Sequence, residues 1–175
     1  MDYILSLMTK EIKFTKYKKR GAYHWQQISR SIFRFNAFVV ARYQQVVALI
    51  PKKKTQKILD IGCGDGVLTY LIYQQSKATI TGLDYDKSSL EAAKKIFKVK
   101  KAKTKFISGS AYKLPFKANS FDIVVSTEVI EHLSKTDQYL SEINRVVKSQ
   151  GKVIITTPIK IYDTPEDKMH FKEFT

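Results

Sequence analysis

One short stretch, Ile58-Leu-Asp-Ile-Gly-Cys-Gly-Asp-Gly66, constrains this chain more than any other. An apolar run reads as a buried strand, and it passes straight into three glycines and then a helical pattern. Glycine suits a place where the chain turns tightly and a ligand must approach bare backbone. The spacing is Gly-x-Gly-x-Gly, at Gly62, Gly64 and Gly66. The dinucleotide fingerprint needs its third glycine one residue later, where this chain has Val67. That argues against NAD and FAD. It also argues against a pyrophosphate seated on the helix start, because Asp65 would repel it. Asp60, near the end of the strand, suits a cationic ligand better.

The rest of the chain sets this loop in a regular alternation. Lys57–Ile61 reads as a strand, residues 66–75 as a helix, Thr79–Asp84 as a second strand and residues 88–98 as a helix. Ser88 is expected to cap that helix, with Glu91 as its capping-box partner. Thr104–Ser108, Phe121–Ser126 and Lys152–Thr157 read as further strands. The stretch Thr136–Lys148 reads as a helix that Gly151 ends. Strands and helices alternating in this way imply a parallel sheet with right-handed crossovers. Asp84 lies 18 residues beyond Gly66, at the end of the second strand. A carboxylate there can accept from both hydroxyls of a ribose, so the combination points to a nucleoside-containing ligand.

Before this unit, residues 24–50 read as one long amphipathic helix carrying a stripe of Ile28, Ile32, Phe35, Val39, Val46 and Ile50, stopped by Pro51. Two regions follow: a basic helical extension or lid over 1–54, and a ligand-binding domain over 55–175. His24 and Trp25 are placed to cover the ligand.

Charge is unevenly divided. The chain has 31 Lys+Arg against 16 Asp+Glu, a formal net charge of +15. Residues 1–57 hold 13 basic and 2 acidic residues, and residues 94–105 hold seven lysines and no acid. Such patches attract nucleic acid, anionic lipid or acidic substrates, but arginine, the usual phosphate and base reader, is scarce. The single cysteine, Cys63, excludes an internal disulfide. No apolar run approaches the ~20 residues that span a bilayer, and a cytoplasmic location is expected.

These motifs, in this order, resemble the class I S-adenosylmethionine-dependent methyltransferases, most closely the type 11 group. The resemblance runs over about residues 55–160. It takes in Ile58–Gly66, Leu83-Asp84, Ser110-Ala-Tyr-Lys-Leu-Pro-Phe116, Phe121–Ser126, Glu128-Val-Ile-Glu-His-Leu133 and Val147–Pro158. It implies a Rossmann-like three-layer α/β/α fold with S-adenosyl-L-methionine as cofactor. Asp60, Gly62, Cys63, Gly64 and Gly66 would line its methionine part. Asp84 would hold the ribose hydroxyls and Tyr85 would lie against the adenine. Ser110 stands where the family usually has an aspartate for the adenine amino group; with Ala111 and Glu128 it completes the implied cofactor set. A serine hydroxyl can still accept, though it is shorter and neutral.

Glu128, Glu131 and His132 follow the fourth strand. If that segment is helical, the two glutamates share a face. Two carboxylates and an imidazole can bind a divalent ion such as Mg2+, and His170 could complete the set. This pattern looks like the metal-dependent small-RNA 2′-O-methyltransferases and the ubiquinone-pathway O-methyltransferases. Alternatively, His132 acts as general base with Glu128 and no metal.

The family's sheet has seven strands, and five are visible here, so a chain cut short at its C-terminus is expected. If the strand order is 3-2-1-4-5, the strand Lys152–Thr157 would then be an edge open to homodimerisation. The leading expectation is methyl transfer to an O, N or C nucleophile of a small-molecule or glycan- or lipid-precursor substrate. The alternatives are a metal-assisted RNA 2′-O-methyltransferase and a catalytically incomplete cofactor-binding module.

Overall fold

The computed structural model describes residues 22–29, 35–158 and 174. Among the described residues two helices come first, α1 (Tyr23–Gln27) and α2 (Ala37–Ala48). Then follow β1 (Lys57–Ile61), α3 (Val67–Ser76), β2 (Thr79–Asp84), α4 (Lys87–Val99), β3 (Lys105–Ser108) and β4 (Phe121–Thr127). A 3-10 turn (Ile130–His132), α5 (Thr136–Val146) and β5 (Val147–Thr156) complete the order. The five strands form one sheet in the order β3-β2-β1-β4-β5 with every pair parallel, as the alternation requires.

Parallel strands buried on both faces need apolar residues at successive positions, and β1 and β4 supply them. Ile58, Leu59 and Ile61, with Ile123, Val124 and Val125, are almost wholly buried. On one face Ile58, Ile80, Ile123 and Val125 pack against α2 and α3 through Val39, Tyr43, Val46, Val67 and Ile72. On the other, Leu59, Ile61, Leu83 and Val124 pack against Tyr139, Ile143 and Val146 of α5. Thus α2, though it lies in the basic N-terminal region, shares a core with the sheet. No helix among the described residues is long and apolar enough to cross a membrane.

Four local expectations are corrected. The single helix over 24–50 is two helices: Ile28 ends α1, and Asn36, in extended backbone, restarts the chain by accepting from the Val39 N–H at 3.2 Å. Asparagine is a strong N-cap, so a side-chain acceptor outweighed the apolar stripe. Phe35 of that stripe is 51 % exposed, and Tyr43 takes a buried place on the face. The cap of α4 is Asp86, not Ser88 with Glu91; the Asp86 carboxylate accepts from the Ser88 N–H at 2.8 Å and its hydroxyl at 2.6 Å. Finally, α5 runs directly into β5, and Gly151 sits inside the strand beside the register shift at Phe121 to Ile123. A β-carbon on Gly151 would stand 2.5 Å from Val147 Cγ2, so glycine serves a close approach there and not a helix end.

Candidate functional site

Every strand of this parallel sheet ends on the same edge, and the loops beyond β1, β2, β3 and β4 converge there. Ligands in such sheets bind outside the carboxyl ends of the strands, where the connections diverge to opposite sides. Here β1 lies between β2 and β4, so the divergence falls at the glycine loop.

The loop is tied to β2 through backbone. The N–H groups of Gly62 and Cys63 donate to the Leu83 carbonyl at 2.7 and 3.1 Å, and Gly66 N–H donates to the Cys63 carbonyl at 2.9 Å. Gly62, at φ 70°, has no room for a side chain: a β-carbon would lie 2.3 Å from Val129 Cγ2. The turn after β4 therefore sits directly against the glycine loop. Gly66, at φ 80°, begins α3 and lets Phe97 and Ala93 of α4 approach to about 3 Å from its missing β-carbon. Cys63 contributes backbone more than sulfur: its buried thiol packs against Gly82, and burial pushes its pKa well up.

Asp84 closes the loop from β2. One carboxylate oxygen accepts from Gly64 N–H at 2.7 Å and the other from Asp86 N–H at 2.8 Å. Each carboxylate oxygen has a second lone pair, so two acceptor positions remain on a fixed carboxylate. Burial raises its pKa, and the two amides act against that rise. Tyr85, next along, is 67 % exposed on the rim.

Asp60 lies beneath the loop, 2 % exposed. Its carboxylate accepts from the Thr69 hydroxyl of α3 at 2.5 Å. Burial pushes its pKa up to about 7, the threonine bond acting against that rise and the Asp84 charge adding to it. With the Asp84 carboxylate beside it, this part of the edge favours a cationic ligand by charge complementarity.

Ser110 and Ala111 follow β3, whose Ser108 pairs with Asp84. The Ser110 hydroxyl accepts from Tyr112 N–H at 3.1 Å, leaving its own proton and a lone pair. The segment 110–116 is held from α5. Glu142 accepts from Leu114 N–H at 2.6 Å, while Arg145 donates to the carbonyls of Phe116 and Leu114 at 2.7 and 3.0 Å and pairs with Glu142 at 2.6 Å.

The turn after β4 differs from its expectation. Glu128 and Glu131 do not share a helix face. Glu128 has left-handed backbone at φ 55°, and only Ile130–His132 form a 3-10 turn. Glu128 accepts from the Thr156 hydroxyl at 3.1 Å and pairs with Arg42 of α2 at 3.2 Å. Glu131, 1 % exposed, accepts from the Thr157 hydroxyl at 3.3 Å, and burial raises its pKa. His132 is half-buried beside it. Among the described residues no group of three or more His, Cys, Asp or Glu side chains converges as a metal-binding set, and His170 lies outside those residues. The donor set present does not fit a divalent ion: one carboxylate is already neutralised by Arg42 and the other is held toward its neutral form.

Several contributors escaped the sequence reading. Asp65, expected only to repel phosphate, is fully buried and anchors α1. It accepts from His24 N–H at 2.7 Å, pairs with the His24 imidazole at 3.4 Å, and its carbonyl accepts from the Trp25 indole at 2.8 Å. Arg42 and the buried Tyr43 bring α2 to the same edge. Burial, reinforced by the Asp65 and Asp60 charges, drives the Tyr43 phenol pKa upward. Pairings across 40 to 86 residues leave no periodic signal. An N-cap-like Asn36 was the one local hint that α2 begins where it does.

A methyltransferase domain family model matches residues 52–174. The chain belongs to that family. It has the class I S-adenosylmethionine-dependent methyltransferase fold, and solved structures agree with it. A protein of Pyrococcus horikoshii superposes with a TM-score of 0.67 at 26 % identity, covering 82 % of this chain and 65 % of its own. Among curated relatives, the ubiquinone biosynthesis O-methyltransferase of Bartonella bacilliformis is 34 % identical over 58 % of this chain and 40 % of its own length. The norajmaline N-methyltransferase of Rauvolfia serpentina is 31 % identical over 60 % of this chain and 37 % of its own. This methyltransferase domain thus spans about two-fifths of the length of these relatives.

Proposed function

We propose that this methyltransferase domain binds S-adenosyl-L-methionine at the edge of β1, β2 and β3 and takes part in transferring its methyl group to an O, N or C nucleophile of a small molecule. The observation that carries the reading is the fixed Asp84 carboxylate, with one open acceptor position on each oxygen for the two ribose hydroxyls. Gly62, Gly64 and Gly66 leave bare backbone for the methionine part, with Cys63 supplying main chain and Asp60 negative charge beneath it. Tyr85 covers the adenine from the rim, and Ser110 and Ala111 meet its edge.

The cofactor supplies a methyl made electrophilic by its sulfonium, so the protein's task is chiefly alignment and exclusion of water. Glu128 and His132, on the turn whose Val129 packs against Gly62, would orient the acceptor and take its proton. No step is routed through a metal. The relatives' names span oxygen and nitrogen acceptors on unlike molecules, and the fold does not choose between them.

The test has two stages. Calorimetric titration with S-adenosylmethionine should show binding. Radiolabelled methyl transfer to fractionated cell extract should then label a small-molecule fraction equally with and without chelator. Absence of cofactor binding contradicts the reading. Binding with no labelled acceptor supports a catalytically incomplete module, and labelled RNA or chelator-sensitive transfer supports the metal-assisted alternative.

A further inference from the structure

The lysine run 94–105 has no part in the cofactor site. Between Glu91 and Asp122 the chain contains no acidic residue. Lys94, Lys95, Lys98, Lys100, Lys101 and Lys103 are all exposed, on the last turns of α4 and the loop leading to β3. None of the ion pairs among the described residues uses them. In their midst Val99 is 83 % exposed, an apolar side chain ringed by cations. Beside it opens a cavity of about 390 Å³ lined by Trp25, Lys95, Ile96, Val99 and Lys100. Its walls are apolar side chains and the methylene stems of two lysines.

Charge, an outward apolar residue and an apolar cavity occur together on one surface. We propose that this surface docks on an anionic phospholipid membrane, the lysines meeting headgroups and Val99 with the adjoining cavity meeting the acyl boundary. Lysine stems lie along apolar surface while their ammonium groups reach polar surroundings, which fits an interface. Clustered lysines near an anionic leaflet gain attraction residue by residue. An RNA partner fits less well. The run has no arginine, and the one tryptophan available as a stacking platform is occupied: Lys100 Nζ lies 4.9 Å from its ring centre and Tyr70 packs at 5.3 Å. Through Trp25, whose indole N–H is bonded to the Asp65 carbonyl, the surface adjoins the back of the glycine loop.

Co-sedimentation with vesicles tests this. Phosphatidylcholine vesicles are compared with vesicles containing about one-third phosphatidylserine. The chain should bind the anionic vesicles alone, and less as salt rises. Replacing Lys94, Lys95 and Lys98 with glutamine, which keeps the helix, should weaken binding by roughly tenfold or more. Val99→Asp should weaken it severalfold with circular dichroism and thermal unfolding unchanged. Equal binding to neutral vesicles overturns the proposal. So does a triple variant that binds like the wild type, which would place the contact elsewhere in the basic chain. Single-stranded RNA that binds more tightly than the vesicles, and is lost in the same triple variant, reassigns the surface to nucleic acid.

Discussion

The glycine loop and the turn after β4 lie against one another, yet they are built in opposite ways. The loop is made of near neighbours: β1, Gly62 to Gly66, and β2 with Asp84 twenty residues past Gly64, joined by backbone hydrogen bonds to Leu83 and by the Asp84 carboxylate accepting from Gly64 N–H. The turn is held by distant residues, with Glu128 reaching Arg42 from α2 and both glutamates meeting threonines at the end of β5. Backbone geometry that only glycine permits is written into local sequence. Side-chain pairs across the fold are not. The comparison teaches that the cofactor half should be brittle to single changes and the turn half tolerant, because one depends on exact space and the other on partly exposed charge.

The largest effect expected follows from the contact that joins the two regions. Gly62→Ala adds a β-carbon 2.3 Å from Val129 Cγ2 in left-handed backbone. Left-handed backbone costs a non-glycine residue about 1–2 kcal/mol and overpacking costs about 1–3 kcal/mol more. Urea unfolding should show a loss of about 3 kcal/mol, and adding Val129→Ala should return part of it. If the double variant gains nothing, the two regions are not in the contact described.

A smaller effect concerns pH. Buried Asp60, held up to about 7 against an ordinary 3.8, binds a proton more tightly in the folded chain than in the unfolded one. Its contribution to stability is therefore largest at acid pH and falls as pH rises from about 4 to about 7. A cationic ligand prefers the carboxylate, so cofactor affinity should rise severalfold across neutral pH. Calorimetry at about pH 6 and about pH 8 measures this, and Asp60→Asn should flatten the profile around neutrality. A profile that rises unchanged in Asp60→Asn would remove Asp60 from the account.

The smallest effect is expected in the turn. Arg42 and Glu128 are about a third and a fifth exposed, and pairs of that kind contribute less than ~1 kcal/mol. Thermal or urea unfolding of Arg42→Ala should shift by no more than that. A loss as large as that of Gly62→Ala would show the turn to be as brittle as the loop and end the contrast.

Much of the fold was legible because it follows from period and punctuation. Consecutive apolar residues in β1 and β4 and the alternation with helices imply a parallel sheet, and the glycines after β1 with an acid after β2 mark its ligand loop. The strand order 3-2-1-4-5, which is the order observed, rests on the family resemblance and not on period or punctuation. What was not legible had specific causes. Asn36 and Asp86 offered better cap acceptors than the periodic pattern suggested, so helix starts moved. Gly151 was read as a helix end because close packing on Val147 has no local signature. Glu-x-x-Glu-His puts both glutamates on one face only if the segment is helical, whereas the left-handed backbone at Glu128 turns the two carboxylates to different partners. Asp65 was read by its charge alone, and its role in holding His24 and Trp25 depends on residues about 40 positions away.

Asp84, fixed by the Gly64 and Asp86 amides, is proposed to present a prepared carboxylate to the ribose of the cofactor. Titration calorimetry of S-adenosylmethionine into wild type and Asp84→Ala, with circular dichroism to confirm that both are folded, tests it most directly. Losing a charged acceptor that serves two hydroxyls and two loop amides should weaken binding by about 2–3 kcal/mol, a factor of roughly 30 or more. An Asp84→Ala chain that binds the cofactor as tightly as wild type would contradict the account.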